Sequence, residues 1–154
     1  MIRRRLVLAA LLVAAPAAAR AQLLSAGVGG GPGIGRHNGP TAASSHGHLL
    51  GWAQLGLPLL PVAVRGDALV IGKGTGGGPL ALSVNAVGRL PLPVVTPYVT
   101  AGWGQYGIGG AARTRGWSTG VGVRVKLPLL PGVFGEVRRH QRLGRDLATV
   151  GLTL

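Results

Sequence analysis

Leu80-Ala81-Leu82-Ser83-Val84-Asn85-Ala86-Val87-Gly88-Arg89-Leu90 alternates between two characters with a period of two. Leu80, Leu82, Val84 and Ala86 fall on one side and Ser83, Asn85 and Arg89 on the other, as in a β-strand whose successive side chains point to opposite faces. The same rhythm returns elsewhere. In Trp117–Lys126, Val121, Val123 and Val125 oppose Ser118, Gly120, Gly122, Arg124 and Lys126. Val133, Gly135 and Val137 alternate with Glu136 and Arg138, and Val150, Leu152 and Leu154 with Thr149, Gly151 and Thr153. Val62, Val64 and Val70 share a face that excludes Arg65 and Asp67. Each run has one greasy side and one small or polar side.

Punctuation between the runs sets the topology. Leu57-Pro58-Leu59-Leu60-Pro61, Leu90-Pro91-Leu92-Pro93 and Leu127-Pro128-Leu129-Leu130-Pro131-Gly132 repeat one Pro-rich turn, while Gly-rich or polar stretches lie near 32–46, 71–79, 107–115 and 140–146. Gly or Pro recurs too often for any helical stripe to survive. Short turns alternating with longer loops place strands near 22–31, 47–57, 62–70, 80–89, 96–106, 115–127, 133–140 and 147–154. Pairing about residue 110 sets Trp103 against Trp117 and Val99 against Val121. Pairing about 76 sets Asp67 against Asn85, and pairing about 130 sets Arg124 against Glu136, so like faces like. The strand over 47–57 is less regular, because Trp52 shares its parity with Gln54.

Composition bounds what this sheet can be. Of 154 residues, 29 are Gly and 11 Pro, which alone would suggest low complexity, yet 47% are hydrophobic and mean hydropathy is +0.40. A disordered chain lacks such apolar content. Only 12% of residues are charged, which excludes a salt-bridged helical bundle, and zero Cys excludes a disulfide framework or a thiolate site. The formal charge is +13. Arg3-Arg4-Arg5, the apolar run Leu6–Ala19 and the small residues of Ala19-Arg20-Ala21 have the order of a secretory signal peptide, expected over 1–21 with a barrel domain over 22–154. Its removal leaves 12 Lys+Arg against 3 acids, a charge of +9.

An exported chain with eight such strands is expected to be all-β, an eight-stranded antiparallel transmembrane β-barrel. Most of the runs approach the roughly 9–11 residues that a tilted strand needs to cross a bilayer. A soluble sandwich or barrel packs its apolar face inward and covers the outside with charge; here the polar face is too meagre for an exterior. Arginine on a lipid face costs about 2–4 kcal/mol near the midplane, so the polar face belongs in the lumen. A lumenal network of Arg65, Asp67, Asn85, Arg89, Arg124, Glu136 and Arg138 is therefore expected. Tyr98, Trp103, Tyr106 and Trp117 are the candidates for membrane-interface aromatics.

The second half resembles the small eight-stranded outer-membrane barrel proteins of the OmpA/OmpX type. Pro97–Gly104, Gly120–Arg124, Phe134–Arg138 and Val150–Leu154 look like their last four strands, and 22–90 follows their architecture. The chain departs from them in ending on Leu154 where they end on an aromatic residue. The resemblance implies an outer-membrane location in a diderm bacterium, folding by the barrel assembly machinery, and a monomer. It also implies a structural or surface-recognition role.

The interior of eight strands is just wide enough for side chains to fill it, so no large pore is expected. Asp67, Glu136 and Asp146 each have an arginine within two residues, which favours ion pairs over acid catalysis. Ser118, His140 and Glu136 match no hydrolase motif, and no catalytic residue is assigned. His37, His46 and His48 have no Cys or carboxylate beside them, and no metal or cofactor is expected. Nucleic acid is excluded by export. In this topology Arg36, Lys73, Arg113, Arg115, Arg142 and Arg145 fall in or beside the longer loops, where lipopolysaccharide phosphates would meet them. A lipid-modifying outer-membrane enzyme and a soluble periplasmic lipocalin-like carrier are the competing readings.

Overall fold

The computed structural model describes residues 24–36, 47–57, 60–72, 80–109, 113–143 and 145–154. Residues 1–21, expected as a signal peptide, lie outside them, as do His37 and His46. The strands are β1 (Leu24–Arg36), β2 (Gly47–Gly56), β3 (Val62–Ile71), β4 (Leu80–Arg89), β5 (Val95–Ile108), β6 (Thr114–Val125), β7 (Gly132–His140) and β8 (Arg145–Thr153). Each pairs antiparallel with its neighbours, and β1 pairs with β8, so the sheet closes into an eight-stranded barrel. Closure removes every edge on which backbone N–H and C=O groups would go unpaired, which a strand in lipid requires. The expected strands are all present, with β1 running five residues further than the alternation suggested, through a Gly-rich segment that carries little side-chain signal.

Alternation sorts inside from outside on every strand. The outward set of Val28, Leu49, Val64, Val84, Val99, Val121 and Val150 is exposed by half or more, and it encircles the barrel. Inward positions hold the buried residues, polar and apolar alike. The barrel is inverted relative to a soluble one, with its greasy residues where solvent would be. At the short-turn end the outer surface continues as Leu57, Leu60, Leu90, Leu92, Leu127 and Leu130. Leu129, at the tip of the β6–β7 turn, takes a positive φ of 63° and is fully exposed.

Registers agree with the expectation for one hairpin and shift it for two. Trp103 lies opposite Trp117 and Val99 opposite Val121. Asp67 lies opposite Ser83, with Asn85 opposite Arg65, and Arg124 lies opposite Phe134, with Glu136 opposite Gly122. Both shifts are two residues. A slip of two keeps every side chain on its own face, so alternation does not distinguish the two registers.

The interior is filled by a division of labour between large and absent side chains. The Trp52 indole lies where a Cβ on Gly27 would be, the Phe134 ring against Gly29 and Gly151, and the Tyr98 ring against Gly122. Trp52 and Phe134 meet edge to face at 5.7 Å and join Leu50, Leu69, Ala81, Tyr106 and Leu147 in an apolar cluster inside the lumen. The glycines of β1, β6 and β8 are thus wall positions that make room for rings from neighbouring strands.

Candidate functional site

Two carboxylates and two arginines form a closed square at mid-lumen. Arg65 and Asp67 stand on β3, one lumenal position apart, and Glu136 and Arg138 stand likewise on β7 across the barrel. Arg65 reaches Asp67 through Nε at 2.9 Å and Glu136 through Nη1 at 2.8 Å. Arg138 donates to Glu136 through Nη2 at 2.7 Å and to Asp67 through Nη1. Side-chain exposure is 3% or less for all four. Each acid therefore serves both arginines, and the square is neutral as a whole. Charges this deep are tolerable only when paired and hydrogen-bonded.

A hydrogen-bonded shell holds the square in place. Tyr98 Oη donates to Glu136 at 2.9 Å, and Asn85 Nδ2 donates to Asp67 at 2.8 Å. Ser118 in turn donates to Asn85 Oδ1 at 3.3 Å. Towards the long loops, Tyr106 Oη meets His140 Nδ1 at 2.9 Å and His48 Nε2 meets Thr149 Oγ1 at 2.7 Å. Between this layer and the square is a void of about 10 Å³ lined by Leu50, Asp67, Leu69, Ser83, His140 and Thr149, at the threshold for one water. The lumen has no room for a lipophilic ligand or an open channel at this level.

Five of the seven residues expected in the lumenal network, Arg65, Asp67, Asn85, Glu136 and Arg138, meet in this cluster. Arg89 and Arg124 also sit on lumenal positions, but among the described residues neither has an ion-pair partner. The expected bond from Arg124 to Glu136 is replaced by bonds from Arg65 and Arg138, because the two-residue shift moves Glu136 away from Arg124 along β6. The Arg124 guanidinium lies over the Trp52 ring instead, at 4.8 Å.

Only two of the four aromatics expected at the membrane interface face outward. Trp103 and Trp117 point outward, 45% and 62% exposed, whereas Tyr98 and Tyr106 are buried in the lumen at 5% and 4%. Tyr98 and Tyr106 are separated from Trp103 by five and three positions, and an odd separation in a regular strand means opposite faces. The same counting rule identifies Trp52, Phe134, Gln54, Ser118 and His140 as lumenal. Ser118 faces His140 directly across β6 and β7, yet Ser118 bonds Asn85 and His140 bonds Tyr106, while Glu136 is held by the square. No relay of the hydrolase kind links them.

At the long-loop rim the arginines are on the outside. Arg113, Arg115 and Arg142 are exposed. The Arg115 guanidinium lies 5.5 Å from the Trp103 ring, and Arg142 Nε donates to the Arg115 carbonyl at 2.8 Å. Arg139, which the sequence reading did not single out, joins this rim and pairs with Asp146 at 3.1 Å. Its signal was parity: it lies two positions from the outward Val137. The side chains of Arg36, Lys73 and Arg145 lie outside the described residues.

An apolar exterior, a closed antiparallel sheet of eight strands and a plugged, ion-paired lumen together define the small outer-membrane barrel fold. Among solved structures the chain is similar to the N-terminal β-barrel domain of Pseudomonas aeruginosa OprF, with a TM-score of 0.60 and 14% identity over 86% of this chain and 96% of that one. It is also similar to Neisserial surface protein A (NspA), with a TM-score of 0.58 and 9% identity over 84% and 93%. Both are OmpA/OmpX-like outer-membrane barrels. No protein-family model and no curated protein sequence matches the chain.

Proposed function

We propose that the chain, after loss of residues 1–21, is a monomeric outer-membrane barrel with a structural or surface-recognition role, and that its long-loop rim engages lipopolysaccharide phosphates. The observation that carries the reading is the division between an apolar exterior and a lumen closed by the four-membered ion cluster. A lumen so filled favours neither transport nor the cavity of a ligand carrier, and an exterior of valine and leucine disfavours a soluble life in the periplasm. Glu136 and Asp67, the lumenal carboxylates near Ser118 and His140, are each engaged by two arginines, which supports a non-enzymatic role.

For the rim, the support is a juxtaposition. Trp103 and Trp117 sit side by side on the outer face, Arg115 stacks over Trp103, and the exposed Arg113, Arg139 and Arg142 belong to the same rim. Indoles settle at the headgroup level of a membrane, and guanidinium groups bind phosphate bidentately. The test is fractionation followed by electrophoresis of boiled and unboiled samples, in which a folded membrane barrel changes mobility on heating. Lipopolysaccharide binding by the folded protein should then weaken in Arg113→Gln/Arg115→Gln. Release by osmotic shock without detergent would sink the membrane reading, and unchanged binding by the double variant would sink the lipopolysaccharide reading.

A further inference from the structure

The ion square consumes both lumenal carboxylates and leaves two arginines over. Arg89 ends β4 and Arg124 stands one residue before the end of β6, so both enter the lumen at its short-turn end, on either side of β5. Arg89 lies opposite Tyr98 and Arg124 opposite Thr96. The chain has three acidic side chains, and all are engaged: Asp67 and Glu136 in the square, Asp146 with Arg139 at the other rim. No residue of the chain can supply a side-chain carboxylate to Arg89 and Arg124 without breaking one of these pairs. Arginine does not escape the problem by losing its proton. Arg124 shares one indole with a like charge, since Arg65 lies 5.5 Å from the Trp52 ring that Arg124 approaches at 4.8 Å.

Several unmet hydrogen-bonding groups lie on lumenal positions of the same, short-turn half of the strands. Arg124 Nε has no partner, nor do Gln54 Nε2 and Oε1, Thr96 Oγ1 and Thr100 Oγ1. Gln54 follows Trp52 as the next lumenal residue of β2 towards the short turns, and Gln54, Thr96 and Thr100 are all more than nine-tenths buried. Buried amides and hydroxyls are almost always paired, so a group of orphans beside uncompensated positive charge points to a missing anionic acceptor.

We propose that the short-turn mouth of the lumen is a phosphate-binding site, with Arg124 and Arg89 supplying the charge and Gln54 Nε2 and Thr96 Oγ1 completing the donor set. A guanidinium fork matches two phosphate oxygens at once, and two unpaired arginines suit a dianion better than a halide. The square remains neutral and intact, because the ligand adds charge where charge is lacking. The same phosphate chemistry can arrive free in solution or on the headgroup of a lipid in the adjacent leaflet.

The full barrel, folded in an uncharged detergent with Trp103→Phe and Trp117→Phe, keeps Trp52 as its single indole and reports on the ring under Arg124. Titration with inorganic phosphate at constant ionic strength, against chloride, is expected to change Trp52 emission saturably. Losing one charged hydrogen-bond partner should weaken binding at least about tenfold in Arg124→Gln and in Arg89→Gln. Lys126→Gln, an exposed cation just beyond β6, should weaken it by no more than about twofold if binding is local. Arg124→Lys, which keeps the charge and loses the fork, should fall between, and it carries the test with Arg89→Gln if Arg124→Gln fails to fold. A flat titration, an unaltered response in the folded arginine variants, or an equal loss in Lys126→Gln would overturn the site. In vesicles of phosphatidylcholine with and without phosphatidylglycerol, a change caused by the anionic lipid alone assigns the phosphate to a headgroup. A change only on adding inorganic phosphate assigns it to the solution.

Discussion

Glu136→Gln tests the ion square most directly. Glu136 is 3% exposed and accepts from Arg65 at 2.8 and 3.0 Å, from Arg138 at 2.7 Å and from Tyr98 at 2.9 Å. Glutamine keeps the shape but leaves Arg65 and Arg138 facing a single carboxylate, so one positive charge is buried without compensation. Removing one partner of a buried pair costs about 3–5 kcal/mol. The amide oxygen of glutamine still accepts one of these bonds, which places the expected loss near the lower bound, about 3 kcal/mol. With a urea dependence of about 2 kcal/mol per molar, the unfolding midpoint in lipid vesicles should fall by about 1.5 M at an unchanged slope. Neutralising a cation as well, in Glu136→Gln/Arg138→Gln, restores the balance, and the pair should show a coupling of about 1–3 kcal/mol. Glu136→Gln/Arg124→Gln should instead be additive to within about 0.5 kcal/mol, since Arg124 makes no bond to the square. A midpoint shift below about 0.3 M for Glu136→Gln, or strong coupling to Arg124 and none to Arg138, would refute the assignment of partners.

Three further outcomes follow from the same arrangement. Val121→Arg places a cation on the outer face at a residue 60% exposed, and should cost about 2–4 kcal/mol in vesicle unfolding if that face meets lipid near the midplane. Gly122→Val drives a side chain into the Tyr98 ring and should cost at least about 2 kcal/mol, whereas Gly135→Ala, which meets open space, should stay within about 0.5 kcal/mol; both are read from heat-dependent mobility and urea midpoints. Reconstituted in a planar membrane, the barrel should show no steady large-pore conductance, because its lumenal void of about 10 Å³ is too small for a file of water, and a persistent open current would contradict the filled lumen.

How far the sequence carries depends on what kind of signal each feature needs. The strands from β2 to β8 are visible because valine and leucine alternate with glycine, serine and charge, and because Leu-Pro turns cut the chain at one end and glycine-rich loops at the other. β1 is read short because Pro32-Gly33-Ile34-Gly35 continues a Gly- and Pro-rich run that has the composition of a loop. Tyr98 and Tyr106 obey the same parity rule: residue type alone suggests an interfacial aromatic, whereas position on the strand puts both rings in the lumen. The Tyr98 hydroxyl donates to Glu136 and the Tyr106 hydroxyl is hydrogen-bonded to His140, so the two rings are structural parts of the interior.

The sequence by itself determined which side of the sheet each residue occupies, because that follows from a backbone repeat of two and requires no partner. It also determined that the apolar side is the larger, and hence that the barrel is turned outward. Which lumenal groups meet was decided only by closure. Arg65 and Glu136 are 71 positions apart and touch because β3 and β7 face each other across a barrel whose stagger is the sum of eight registers. A slip of two in any hairpin leaves the inside–outside pattern untouched and changes every cross-lumen pair. Only the assembled ladder, with rings seated over glycines of the neighbouring strands, selects Arg65 and Arg138 for the carboxylates and leaves Arg89 and Arg124 unpaired at the mouth.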